Sequence, residues 1–181
     1  MLDEYISSNE VDDDLAQKED VTLVLAIGNL LMTDEGAGIH VLRHLQQNKL
    51  DQIIHSKVIY LDGGTLSFSL AAHIENADNL IVIDAAELND SPGTVKAFVG
   101  SQMDQQLGSC KLSVHEVGLI DLMDMVKLSG QMPKQRALIG IQPLTIAEWS
   151  EYPSEPVKKS IPIAANLITQ LIKEWQQNEK R

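Results

Sequence analysis

Four acidic side chains recur at loops that follow apolar runs of the chain, and one imidazole falls in a loop expected to enter a helix N-terminus. They are Asp34 and Glu35 in GNLLMTDEGAG, Asp62 in LDGGT, Asp84 in LIVIDA and His115 in SVHEVG. Carboxylates and an imidazole suit a divalent cation and leave coordination positions for water or substrate. They suit phosphate poorly. The loop where a glycine-rich phosphate cradle would sit carries Asp34 and Glu35, and after Gly28-Asn29 it lacks the later glycines of G-x-G-x-x-G.

Each residue also has a plain structural explanation. Asp62 can cap the second helix and hold the Gly63-Gly64 turn, an alternative that stands beside a chemical role. For Asp34 a charge at a helix N-terminus, paired with Glu35, is the preferred reading. Glu35 and Asp84 are harder to explain this way, because they arrive from separate strands. An acid directly after the apolar run Leu80–Ile83 is costly to desolvate without a cation or hydrogen-bond donors. An isolated His115 has a structural reading beside a ligand reading. His40 and His44 have the i,i+4 spacing of helix-borne metal ligands. Val41 stands where an HExxH general base is needed, however, and both histidines are expected on a solvated helix face. His55 and His73 have no evident partner. No G-x-S-x-G elbow, Walker loop or Cys–His nucleophile occurs.

The elements that must position these residues alternate. Apolar β-rich runs lie at Val21–Ile27, Lys57–Leu61, Leu80–Ile83, Thr94–Val99 and Arg136–Ile141, with helical patterns between them. Leu119, Leu122, Met123 and Val126 make one helical stripe closed by Gly130, and Met123, Met125 and Met132 read as core filler. A last helix is expected from Ser160-Ile-Pro162 to about Gln176. This alternation implies an α/β fold, a single-domain doubly wound and mainly parallel sheet with helices on both faces. The turn Asn89-Asp-Ser-Pro-Gly93 links so briefly to Thr94–Val99 that this run is expected as a neighbouring strand, with an antiparallel direction open to it. In an open α/β sheet ligands bind beyond the carboxyl ends of the strands, where the acids fall.

The 181 residues, 44% hydrophobic and 22% charged, fit one domain over 21–178. It is preceded by an acidic extension over 1–20 that reads as flexible and solvated. A net charge of −12 and the lack of any basic cluster longer than a pair argue against nucleic acid. No apolar run approaches a membrane span, and the N-terminus lacks the features of a signal peptide. Cys110 is the only cysteine, which excludes an intramolecular disulfide and fits a cytoplasmic location.

The segments GNLLMTDEGAGIHV, LDGGT, LIVIDA, PGTV, SVHEVGLIDLM and LIGIQP occur in the order seen in nickel–iron hydrogenase maturation endopeptidases. The chain resembles that family over residues 21–145 and, more loosely, over its final helix. Singly these motifs are weak; six in order are specific. The resemblance implies a phosphorylase/hydrolase-like α/β fold. It implies an endopeptidase that removes the C-terminal extension of the hydrogenase large-subunit precursor after nickel insertion. It implies a metal-contacting triad of Glu35, Asp84 and His115, with Asp62 a further acid at the same cleft and a candidate to orient or deprotonate water. No cofactor would be permanently bound; nickel would be carried by the substrate, and other divalent cations would suit the same ligands. The implied partner is the nickel-loaded precursor. Ala37 departs from the larger apolar residue of many relatives, His40 falls where the family varies, and the acidic extension is outside the usual pattern. A non-enzymatic nickel-checking chaperone is the alternative from another class, followed by a nucleotide-binding module and a free-standing metalloprotease.

Overall fold

The computed structural model describes residues 20–48, 57–65, 67–109 and 114–179. Residues 1–19 of the acidic extension, His55 and Cys110 lie outside the described residues. Five strands are present: β1 (Val21–Ala26), β2 (Lys57–Asp62), β3 (Asn79–Ala85), β4 (Val95–Val99) and β5 (Gln135–Ile141). They form one sheet in the order β2-β1-β3-β5-β4, parallel except for β4, which runs antiparallel to β5. The helices are α1 (Ala37–Gln47), α2 (Ala71–Glu75), α3 (Ser101–Ser109), α4 (Val114–Leu128) and α5 (Glu155–Glu179).

Both faces of the sheet are covered, as the sequence requires. Alternate residues of a strand point to opposite faces. Val24, Ala26, Ile81, Ile83 and Ile139 therefore join α1 and α5 in one core. Leu23, Leu25, Leu80, Val82 and Leu138 join residues of α2, α3 and α4 in the other. Strand β3 lies in the middle of the sheet and is buried along its whole length, which is why it reads as an unbroken apolar run. The turn into β4 has Asn89 and Gly93 at positive φ (51° and 85°), letting the chain reverse and pair antiparallel.

Three expectations need correction. Helix α5 starts at Glu155, not near Ser160. Its first turn holds Pro156, where a missing N–H costs little, and Lys158 N donates to Ser154 O at 2.8 Å. Ser160 is inside the helix and donates its hydroxyl to Val157 O at 2.7 Å, while Pro162 interrupts the ladder at the carbonyl of exposed Lys158. Met125 is exposed and not core filler, whereas Met103 is fully buried. The turn after β2 does not lead into a helix capped by Asp62; Ser67 accepts from Ser69 N at 3.3 Å and caps the short 3-10 turn Phe68–Leu70 ahead of α2.

Two features of the fold set the carboxyl edge of the sheet. A Cβ on Gly38 would stand 2.4 Å from Ile83 O and 2.6 Å from Ile27 O, so the glycine lets the first turn of α1 sit directly on the ends of β1 and β3. Helix α4 ends at Leu128, and residues 129–134 deliver the chain to the start of β5. Fifteen helical residues span about 22 Å, close to the length of a seven-residue strand, so the first turn of α4 lies at the opposite, carboxyl edge.

Candidate active site

Glu35 and Asp62 sit on loops that are bonded to one another. Gly28 N donates to Gly64 O at 2.8 Å, and Gly63 N donates to Ala26 O at 2.8 Å. Gly28 has φ 140°, and a Cβ there would lie 2.0 Å from Glu35 O. Only glycine lets the chain leave β1 and bring Glu35, on the 3-10 turn Thr33–Gly36, back over the strand end. Asp62 ends β2, is exposed, and accepts from Gly64 N through Oδ1 at 3.0 Å. Of the two structural roles open to it, the turn is observed and the helix cap is not.

Asp84 is the sixth residue of β3, 2% exposed, and opposite Gly140 of β5 in register. Glu35 is half-buried. These two acids thus come from adjacent strands to one edge. His115 is the second residue of α4 and not in the loop before it, and the first turn of α4 lies at the same edge. Its side chain lies outside the described residues. Among the described residues, no three His, Cys, Asp or Glu side chains are gathered closely enough to hold a metal ion.

Asp34 is structural: it stands with Glu35 in the first turn of the 3-10 helix ahead of α1, as expected, but its carboxylate is taken up by partners far along the chain. It is 0% exposed. Its Oδ2 accepts from Leu144 N at 2.8 Å, Thr145 N at 3.2 Å and the Ser154 hydroxyl at 2.8 Å, and its Oδ1 accepts from Ser154 N at 2.6 Å. The carboxylate thereby ties both ends of the segment between β5 and α5 to the loop carrying Glu35. Thr33 just before it holds the left-handed conformation (φ 47°) that a β-branched residue disfavours. Its N–H donates to Ser150 O at 2.9 Å and its hydroxyl to Glu148 O at 2.6 Å, which keeps that conformation in place. Gln142, which sequence reasoning passed over, is buried at the end of β5 and accepts from Leu88 N at 2.7 Å, fixing the loop that leaves β3. A polar residue closing a buried strand is the only sequence signal for it.

His40 is not on a solvated face. It is half-buried, and its Nε2 is buried without a hydrogen-bond partner among the described residues. Burial first, and then the nearby Arg43 charge, hold its pKa below the usual 6.5, against the raising effects of the Glu151 backbone and Asp34. A histidine with a lowered folded pKa contributes stability that is present above the unfolded pKa. That contribution is lost as pH falls through the folded value. The urea midpoint is therefore expected to fall between pH 7.5 and 5.5, and to fall less in His40→Gln; equal slopes would show that His40 does not carry the dependence.

A sequence model for hydrogenase maturation protease matches residues 39–171. The chain belongs to the hydrogenase maturation protease family. It is a peptidase. The matched span contains Asp62, Asp84 and His115 and begins four residues after Glu35. The protease is 34% identical over 153 residues to the hydrogenase expression/formation protein HupD of Bradyrhizobium diazoefficiens, covering 84% of this chain and 78% of that one. It is 34% identical over 122 residues to the hydrogenase 2 maturation protease of Escherichia coli, covering 67% and 72%. Among solved structures, the hydrogenase maturating endopeptidase HybD of E. coli superposes with a TM-score of 0.74 at 29% identity, covering 84% of this protease and 92% of that chain. Among the described residues of the protease, no helix is long and apolar enough to cross a membrane.

Proposed function

We propose that the protease cuts the C-terminal extension from a nickel–iron hydrogenase large-subunit precursor once nickel is inserted, reading the substrate's nickel with Glu35, Asp84 and His115. The observation that carries this reading is the convergence of β1, β3 and the first turn of α4 on one edge, each bringing one of these residues. Carboxylate, carboxylate and imidazole suit nickel and leave positions for ligands from the precursor. No resident cofactor is needed: the ion comes and goes with the substrate, and the reaction belongs to the cytoplasm where the precursor is assembled.

Anchoring the loaded precursor holds its C-terminal peptide over the edge and raises its effective concentration against an attacking water. The water oxygen adds to the scissile carbonyl carbon while its proton passes to Asp62. The proton then goes to the departing amine as the C–N bond breaks. Asp62 already directs Oδ1 to Gly64 N, which fixes the orientation of its carboxylate plane. Asp62→Asn keeps an oxygen acceptor for that N–H, so the melting temperature is expected to hold. Processing is expected to fall by about 10²–10⁴-fold, the range of general-base catalysis. A wild-type rate would leave Asp62 only its turn.

Mass spectrometry of the precursor after incubation, with and without nickel loading, tests the whole reading. Loss of a C-terminal peptide from loaded precursor alone supports it. An intact chain in tight association supports the nickel-checking chaperone, and cleavage of generic peptides supports a free-standing metalloprotease.

A further inference from the structure

The segment between β5 and α5, residues 142–154, carries an unusual load of exposed apolar side chains. Trp149 is 80% exposed and Tyr152 79%, with Leu144 and Ile146 also exposed. Leu31, from the loop that bears Glu35, is exposed beside them. Single exposed apolar residues need no explanation, but several on one short segment, including two aromatics, mark an interaction surface.

The backbone under these side chains is held firmly. Ser150 N donates to Leu31 O at 3.1 Å and Thr33 N donates back to Ser150 O at 2.9 Å, joining the two loops as a bridge between Met32 and Ser150. Ser150 also links its hydroxyl to Tyr152, accepting from Tyr152 N at 3.1 Å and donating to Tyr152 O at 3.0 Å. Asp34 fastens both ends of the segment. Rigid display of Trp and Tyr lowers the ordering cost of binding, and these residue types dominate interface hot spots.

The chemistry favours one occupant. A second copy would bring another −12 charge against the first, and Glu148 and Glu151 lie exposed within the segment itself. The surface therefore fits a partner with an apolar hollow rimmed by lysine or arginine. It is also continuous with the candidate site, because Leu31 and Glu35 share one loop four residues apart. Burying a Trp and a Tyr covers roughly 150–250 Å² each, a substantial share of the roughly 800 Å² per partner in a standard interface.

We infer that Trp149 and Tyr152, ringed by Leu31, Leu144 and Ile146, dock the folded body of the protein substrate through a basic-rimmed apolar surface. The carboxyl edge meanwhile takes that substrate's C-terminal segment. This rests on the substrate reading given above. It also gives remote binding energy to a site that must otherwise recognise an ion and a short peptide.

The test is the full chain with Trp149→Ala and Tyr152→Ala combined, measured against nickel-loaded large-subunit precursor. Because both side chains project into solvent, the melting temperature should match wild type. The Kd for precursor and the KM of processing should rise on the order of 30-fold or more, with kcat unchanged within about twofold. Glu148→Lys with Glu151→Lys should weaken binding further as salt is lowered. Unchanged Kd and KM in the double-alanine variant would overturn the docking surface, as would wild-type protease that binds no precursor. A wild-type dimer that the alanine pair converts to monomer in sedimentation would also overturn it, in favour of a second copy. Wild-type binding without peptide loss would sink the cleavage reading instead, and the Kd comparison would still decide the docking surface.

Discussion

Glu35→Gln is expected to lower processing of nickel-loaded precursor by about 10²-fold or more, with the melting temperature and circular dichroism of the wild type. Glutamine nearly matches glutamate in volume, and Glu35 is only half-buried, so the 3-10 turn Thr33–Gly36 has no reason to repack. Its backbone N–H keeps donating to Met32 O at 3.0 Å, and Gly28 still leaves room for its carbonyl. What changes is the charge. A neutral amide oxygen is a much poorer ligand for a divalent ion than a carboxylate. If the ion fixes the peptide over the edge, a displacement of about 1 Å costs on the order of 10²-fold in rate. Single-turnover mass spectrometry of the released peptide reads this directly, and His115→Ala run alongside should give a loss of the same kind. Precursor affinity should fall less than the rate, because Trp149 and Tyr152 still hold the substrate body. Wild-type processing by Glu35→Gln would exclude this residue from reading the metal.

How much of this was legible in the sequence depended on where the deciding contacts lie. The central strands were, because a buried run is continuous: Leu80–Ile83 is apolar because β3 is covered on both faces and flanked by β1 and β5. The antiparallel direction of β4 followed from a turn too short for a crossover, but its place did not: β4 does not neighbour β3, because β5 enters later in the chain and takes the position between them. The start of α5 was obscured by a duplicate signal. Ser160-Ile-Pro162 and Ser154-Glu-Pro156 share the same capping pattern, and the second wins because Ser154 is also fixed by Asp34. His40 looked solvated from its neighbours in α1. Its burial involves a segment more than a hundred residues further on, where the Glu151 backbone meets it. Of the candidate site, the positions of Glu35, Asp62 and Asp84 at strand ends were readable from the edge rule, and His115 is the second residue of its helix instead of lying in the loop before it. The opposite fates of Asp34 and Glu35 were not readable. Two adjacent acids look alike until partners 110, 111 and 120 residues away are in place.

Those partners make Asp34→Ala the substitution with the largest expected effect on stability. Hydrogen bonds to a charged group are each worth about 1.5–3 kcal/mol, and a simple sum over four donors would exceed what the site can lose. The segment 142–154 is open to water on its outer side, so once released it can lift and let water reach Leu144 N, Thr145 N and Ser154. A net loss of about 3–5 kcal/mol follows, at the upper end for single substitutions. For a domain of this size that lowers the melting temperature by roughly 10 °C. Asp34→Asn should fall between the two, because its Oδ1 can still accept from Ser154 N while its amide must face the N–H groups of Leu144 and Thr145. Hydrogen exchange locates the damage: the amides of Leu144, Thr145 and Ser154 should lose protection in Asp34→Ala before those of β3 do. Thr33 would lose the bonds that sustain its positive φ as the segment lifts, so the loop bearing Glu35 should relax with it. The same change should then raise KM through the freed Trp149 and Tyr152 and lower kcat through the displaced Glu35. A variant with wild-type urea midpoint and unchanged exchange at those three amides would show that Asp34 does not hold the two loops together.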